Sequence, residues 1–112
     1  MAIQLDRVSF GIGSSDWAKD VAALTELIGS PSVVQEGEWA QFDLGGARVA
    51  VGTADDLPAV ALMCKVGDVN QAAGELRDAG WQVDEAMRGA HELRARAQAG
   101  TGLHVILYQP LA

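Results

Sequence analysis

The chain has 112 residues, a formal net charge of −7 and 49% apolar residues. This length suits one domain around a single core, and the negative charge disfavours nucleic acid, whose binding needs a positive surface. No apolar run approaches the roughly 20 residues that cross a bilayer, and the first residues lack a signal-peptide pattern. We therefore expect a cytoplasmic protein without a membrane segment. The single cysteine, Cys64, excludes an internal disulfide, and its apolar strand position predicts an inert buried thiol.

The first half of the sequence predicts a strand, a helix and three short strands. Gln4–Gly13 alternates, so that Val8, Phe10 and Ile12 share one face and Arg7, Ser9 and Gly11 share the other. A helix capped by Ser15 or Asp16 and closed by Gly29 follows. Its apolar stripe contains Trp17, Val21, Leu24 and Ile28. The strand candidates are Ser32–Glu36, Glu38–Asp43 and Ala47–Gly52, the last two joined by a Gly45–Gly46 turn.

The second half repeats this order. Strand Pro58–Val66 leads to helix Asp68–Ala79, in which Asp68 and Gln71 have the spacing of a capping box and Gly80 ends the helix. The remaining strand candidates are Gln82–Met87, His91–Gln98 and Leu103–Gln109, the last two joined by a turn at Gly100–Gly102. The pattern predicts a single domain over 1–112, built from two βαβββ units at about 1–54 and 57–112.

This twice-repeated order resembles the vicinal-oxygen-chelate superfamily, which includes glyoxalase I, extradiol dioxygenases and bleomycin-resistance proteins. The stretches that carry the resemblance are RVSF, SSDWAKDVAALTELIG, EGEWAQFDLGGARVAV, VALMCKVGDVNQAAGELRDAGWQV and GTGLHVILYQP. The resemblance implies an α+β fold, in which two repeats form curved mixed sheets around a cavity with the helices outside. It also implies a homodimer.

Enzymes of the superfamily hold a divalent metal with His, Glu or Gln side chains on the first and last strand of each unit. The resemblance places these positions at Arg7 or Ser9, Ala50, Ala61 and Ile106. None is a plausible ligand for such a cation, which prefers carboxylate, imidazole or water. We therefore expect no metal and no cofactor. His91 and His104 are the residues that could replace the missing ligands in a divergent site.

Strand alternation predicts which side chains line the cavity that the resemblance implies. The candidate ligand-binding residues are Trp39, Arg7, Arg48, Met63, His104, Ile106 and Tyr108. Trp39 is the aromatic expected to stack on a ligand, whereas Trp17 and Trp81 are expected to pack against the core. His104 has the alternative of a structural histidine, and Arg94 and Arg96 that of a solvated rim. The charges give conflicting indications of the ligand's charge. The acidic chain as a whole favours a cation, whereas Arg7, Arg48 and Lys65 on the inferred cavity face favour an anion. We lean to an anionic ligand.

The leading functional hypothesis is a metal-free protein that binds a small molecule, such as an antibiotic or natural product, and sequesters it. This step follows the analogy with bleomycin-resistance proteins. A second hypothesis is a divergent lyase, isomerase or dioxygenase-like enzyme that recruits a metal through His91, His104 and acidic residues. A third is a structural or regulatory protein whose cavity has closed. The expected partners are a small molecule and a second copy of the chain.

Overall fold

The computed structural model describes residues 3–111, which form two helices and nine strands. The first elements are β1 (Arg7–Ser14), α1 (Trp17–Ile28), β2 (Val33–Gln35), β3 (Trp39–Leu44) and β4 (Ala47–Thr53). The later elements are β5 (Ala61–Lys65), α2 (Val69–Asp78), β6 (Gln82–Val83), β7 (Met87–Arg88), β8 (Glu92–Gln98) and β9 (His104–Pro110). The predicted α+β class is confirmed, and the strand pairing is mixed, with parallel and antiparallel neighbours. Neither helix in this part of the chain is long and apolar enough to span a membrane.

The described residues form two compact units. The first unit contains residues 9–61 and the second contains residues 3–8 and 62–111. In the first unit the strand order is β2-β3-β4-β1, with β1 parallel to β4 and the other neighbours antiparallel. In the second unit β5 runs parallel to β9, β9 is antiparallel to β8, and both β6 and β7 pair with β8.

Helix α1 covers one face of the first sheet. The apolar stripe predicted from the sequence forms this contact, because apolar residues at helical spacing share one side of a helix. The core contains Trp17, Ala40, Phe42 and Val51, with Val21, Leu24, Ile28 and Val49 packed against it. Of the two predicted caps, Asp16 is the N-cap, and its side chain accepts a hydrogen bond from the Lys19 backbone N–H at 3.3 Å.

Helix α2 covers one face of the second sheet in the same way. Its core contains Cys64, Val66, Val69, Ala72, Ala73, Ala95, Ala97, Val105 and Leu107. The predicted cap is confirmed, since the Asp68 side chain accepts from the Gln71 N–H at 3.0 Å. Gly80 follows the helix with φ of 96°, a left-handed conformation that a residue with a Cβ rarely adopts.

Two sequence expectations differ from the structure. The strand predicted over Gln82–Met87 is divided into β6 and β7, because the chain leaves β8 after the Asp84 N–H bonds to Arg96 O at 2.9 Å. In β1 the predicted alternation is present, but Val8 and Phe10 are 47% and 51% exposed and so contribute little to a core. Alternation establishes which side chains share a face, while burial depends on what covers that face.

Candidate functional site

Each sheet has a face that points away from its helix, and the strand register shows which side chains lie there. In the first unit Gln41 pairs with Ala50, and Ala50 pairs with Gly11. Their neighbours Ala40 and Phe42 point the other way, into the core beneath α1. Since alternate residues share a face, Trp39, Asp43, Arg48 and Gly52 lie on the same side as Gln41.

Trp39 is half-buried and is held in place by two contacts on this face. Its indole Nε1–H donates to Gln41 Oε1 at 3.0 Å. Its ring packs over Gly52, because a Cβ placed on Gly52 would lie only 3.2 Å from Cε3 and Cζ3 of the indole. The same Cβ would lie 3.0 Å from Cδ1 of Leu57, which is 1% exposed. The position of the indole therefore depends on the absence of a side chain at residue 52.

Arg48 has an acidic partner on this face. Its Nε donates to Asp43 Oδ1 at 2.8 Å, and the two residues are direct cross-strand partners in β3 and β4. The side chains are 28% and 43% exposed. The positive charge of Arg48, which the sequence analysis counted in favour of an anionic ligand, is thus balanced locally by a carboxylate.

The face of the second sheet that points away from α2 carries most of the other predicted residues. Here Met63 pairs with Ile106 and Ile106 with Arg96, while Tyr108 lies between Lys65 and Arg94. His104 pairs with Gln98 on the same side. Met63, His104, Ile106 and Tyr108 therefore share one face, as strand alternation predicted.

Burial on this second face is uneven. Met63 and Ile106 are 4% and 1% exposed, whereas His104 and Tyr108 are half-buried. Arg94 Nε donates to Glu92 Oε2 at 2.6 Å, so part of the positive charge of β8 is balanced within that strand. The face therefore joins a buried apolar centre to a polar region with both signs of charge.

Arg7 lies at the start of β1, where alternation with Gly11 puts it on the Trp39 side, and His91 lies outside the strands. Arg7 is exposed as the first residue of β1, and the preceding Asp6 N–H donates to Lys65 O at 2.8 Å. His91 is exposed just before β8, and its backbone oxygen accepts from the Leu111 N–H at 2.9 Å. Neither side chain makes a contact that indicates a role in a site.

The positions that the sequence resemblance assigns to metal ligands do not hold residues that suit a divalent cation. Ala50, Ala61 and Ile106 are 1%, 2% and 1% exposed, and their side chains contain no donor atoms. The remaining position falls on Arg7, which is exposed and cationic, or on Ser9, which is buried and offers only a hydroxyl. Within residues 3–111, no three His, Cys, Asp or Glu side chains are grouped so that they could hold a metal ion. This donor set does not fit a divalent cation.

The sequence analysis did not identify Gly52 or Leu57 as parts of the Trp39 surface. A signal for Gly52 was available in the Gly45–Gly46 turn. A two-residue turn fixes the hairpin register, which is observed from Leu44 with Ala47 to Ala40 with Val51. One step further, this register places Trp39 opposite Gly52. Leu57 lies in the loop after β4, where no strand periodicity predicts the direction of its side chain.

Comparison with known proteins identifies the fold. No protein-family model and no curated protein matches the sequence. Among solved structures, a glyoxalase/bleomycin resistance protein/dioxygenase superfamily member from Vibrio splendidus 12B01 is similar with a TM-score of 0.69 at 16% identity, covering 95% of this chain and 99% of that one. Methylmalonyl-CoA epimerase from Mycobacterium tuberculosis is similar with a TM-score of 0.62 at 17% identity, covering 96% and 88%.

A third similar structure is described as NAD-dependent benzaldehyde dehydrogenase from Legionella pneumophila. Its TM-score is 0.77 at 11% identity, covering 93% of this chain and 99% of that one. Proteins with such different descriptions share the architecture, and at these identities the likeness concerns the fold and not the activity. The chain has the vicinal-oxygen-chelate fold, which confirms the resemblance inferred from the sequence.

Proposed function

We propose that this protein binds a small molecule without a metal ion, on the sheet faces that point away from the helices. The observation that carries the proposal is that Ala50, Ala61 and Ile106, which the resemblance assigns to metal-ligand positions, are buried and without donor atoms. A face that cannot hold a cation but retains an aromatic wall at Trp39 suits apolar ligands with a few polar contacts. The proposed ligand class is drug-like or natural-product molecules, and the proposed biological role is sequestration.

The homodimer and the cytoplasmic location belong to the same proposal. Exposed apolar side chains at Val33 and Val34, which are 41% and 49% exposed on β2, favour association with a second copy. The single cysteine, Cys64, is buried and free, which agrees with a reducing compartment.

The experiment compares two tryptophan variants in a titration with the neutral fluorescent dye N-phenyl-1-naphthylamine. Trp39→Ala removes an aromatic wall and is expected to weaken dye binding about tenfold, with a small loss of stability. Trp17→Ala removes a residue that is 8% exposed, and it is expected to lower the free energy of unfolding by about 3–5 kcal/mol. The folded fraction of the Trp17 variant should bind dye as the parent does.

Dye titration and urea unfolding of both variants decide the outcome. Failure of the parent protein to bind the dye at any accessible concentration would contradict the proposed function. So would the reverse pattern, in which Trp39→Ala unfolds the protein and Trp17→Ala abolishes binding, because the assignment of faces would then be inverted.

A further inference from the structure

We propose that Trp39, seated on Gly52, is a stacking surface for an uncharged planar aromatic ring, and that Gly52 is the positioning residue of this surface. The inference rests on the proposed function and specifies the ligand chemistry of the first unit. Three features of the described residues support it. They are the hydrogen bond of the indole, the lack of space for a side chain at residue 52, and the charge balance of the surrounding face.

The hydrogen bond shows what Trp39 can offer to a ligand. Indole has one donor, the Nε1–H, and Gln41 Oε1 accepts it at 3.0 Å. A ligand that contacts Trp39 therefore meets the π face and edges of the ring. Such contacts favour flat aromatic partners in offset-stacked or edge-to-face geometry, and they contribute about 0.5–1.5 kcal/mol beyond burial.

Gly52 determines where the ring lies. The position of an added Cβ is 3.2 Å from Cε3 and Cζ3 of Trp39 and 3.0 Å from Cδ1 of Leu57. Carbon atoms in favourable contact are about 3.5–4.0 Å apart, so alanine at this position would displace the ring, the leucine or both. Gly52 is buried in β4 and its φ lies outside the left-handed region. Space for the indole, and not backbone conformation, is thus the structural requirement for glycine here.

The charge balance of the face favours an uncharged ring. Strand β1 has one charged residue on this side, the exposed Arg7, at the opposite end of the strand from the Gly13 that pairs with Gly52. Strands β2, β3 and β4 place one acidic and one basic side chain on this face, and these two, Asp43 and Arg48, pair at 2.8 Å. Their other residues on this face are uncharged, namely Val33, Gln35, Trp39, Gln41, Ala50 and Gly52. Burial of an ion against such a surface costs desolvation free energy without a compensating charge, whereas burial of a neutral ring does not.

The test uses two alcohols with the same skeleton, 2-naphthol and decahydro-2-naphthol, as competitors of N-phenyl-1-naphthylamine on the intact protein. The first is flat and aromatic, and the second is puckered and saturated. We expect 2-naphthol to bind at least fivefold more tightly. The saturated alcohol is the more apolar of the two, so apolar burial alone predicts the opposite order. Equal binding, or tighter binding of the saturated alcohol, would overturn the inference.

Three variants locate the preference. Trp39→Leu keeps an apolar side chain and is expected to abolish the preference for the aromatic alcohol. Gly52→Ala is expected to weaken 2-naphthol severalfold, whereas Gly46→Ala, where an added Cβ meets nothing within 4 Å, should leave it unchanged. Circular dichroism melting verifies that each variant is folded. A preference that survives Trp39→Leu, or equal effects of the two glycine variants, contradicts the assignment.

The two proposals fail in different ways. If the dye binds but the alcohols show no aromatic preference, the stacking inference is wrong while the binding function stands. If neither the dye nor either alcohol binds, both are wrong.

Discussion

The three tryptophans lie in three environments, and the environment decides what each side chain does. Trp17, the first residue of α1, is 8% exposed, and its Nε1–H donates to Val51 O at 3.2 Å, which ties the start of the helix to β4. Trp81 is partly buried against the core of the second unit. Trp39 lies on the opposite face of its sheet from Trp17, and its Nε1–H donates to the neighbouring Gln41 side chain. The same residue type thus serves packing in two places and a candidate ligand surface in one.

Cys64 provides a prediction of pH dependence at the residue scale. The thiol is 5% exposed, and burial raises its pKa above the ordinary value. Between the unfolded and folded pKa values the native state holds a proton that the unfolded chain has lost. Stability should therefore fall as the pH rises above about 8.5, the ordinary thiol pKa, toward the folded value.

Urea unfolding of the parent and Cys64→Ala across this range measures the effect. The advantage of the parent should shrink as the pH rises, because alanine does not titrate. In the native parent, Ellman's reagent should react slowly, since the neutral buried thiol is a poor nucleophile. Reaction at the rate of free cysteine would refute this account.

At the scale of elements, two aspartates at opposite ends of α2 give opposite predictions. Asp68→Ala removes the side chain that accepts the Gln71 N–H, and it is expected to cost about 1 kcal/mol. Asp78→Ala, at the last residue of the same helix, removes a negative charge from the negative end of the helix dipole. It should raise stability by a few tenths of a kcal/mol.

Thermal and urea unfolding of both variants, which make the same change in charge, checks this pair. Equal effects of the two variants would show that position in the helix does not matter, and would contradict the capping account.

The elements also show which structural features could be predicted from the sequence. Asp68 and Gly80 identify the two ends of their helix from sequence alone, because capping and the left-handed glycine conformation involve only residues within one turn. The stripe of Trp17 and Val21 predicts a buried helix face because helical periodicity is local. The exposure of Phe10 and the contact of Leu57 with the Trp39 surface depend on residues distant in sequence. No local pattern reports such contacts, so the faces could be predicted but the detailed surroundings of the site could not.

At the scale of the molecule, the fold is shared by proteins with very different descriptions, and the chemistry lies in a few positions on it. The sequence resemblance assigns such positions to Ala50, Ala61 and Ile106, whose side chains are buried and contain no donor atoms. The absence of donor atoms at these positions, together with a tryptophan on a sheet face, supports the proposed binding function.

Self-association is a separate prediction at this scale. In the first unit β2 lies at the end of the strand order, with Val33 and Val34 41% and 49% exposed. A second copy that covers these side chains would remove an exposed apolar edge, and two-fold dimers are the commonest soluble assemblies. Sedimentation at micromolar concentration should show a dimer, and Val34→Lys should shift it toward monomer. A monomer at all concentrations would count against the proposed dimer.

The measurement that tests the central claim most directly combines metal analysis with ligand binding. Protein purified without chelator is analysed for bound metals and then titrated with N-phenyl-1-naphthylamine, untreated, after EDTA treatment, and after addition of zinc, nickel, iron or manganese. The account predicts no stoichiometric metal and the same dye affinity in every sample, since Ala50, Ala61 and Ile106 cannot act as ligands. About one tightly bound metal ion per chain, with dye binding that EDTA abolishes and the metal restores, would contradict it.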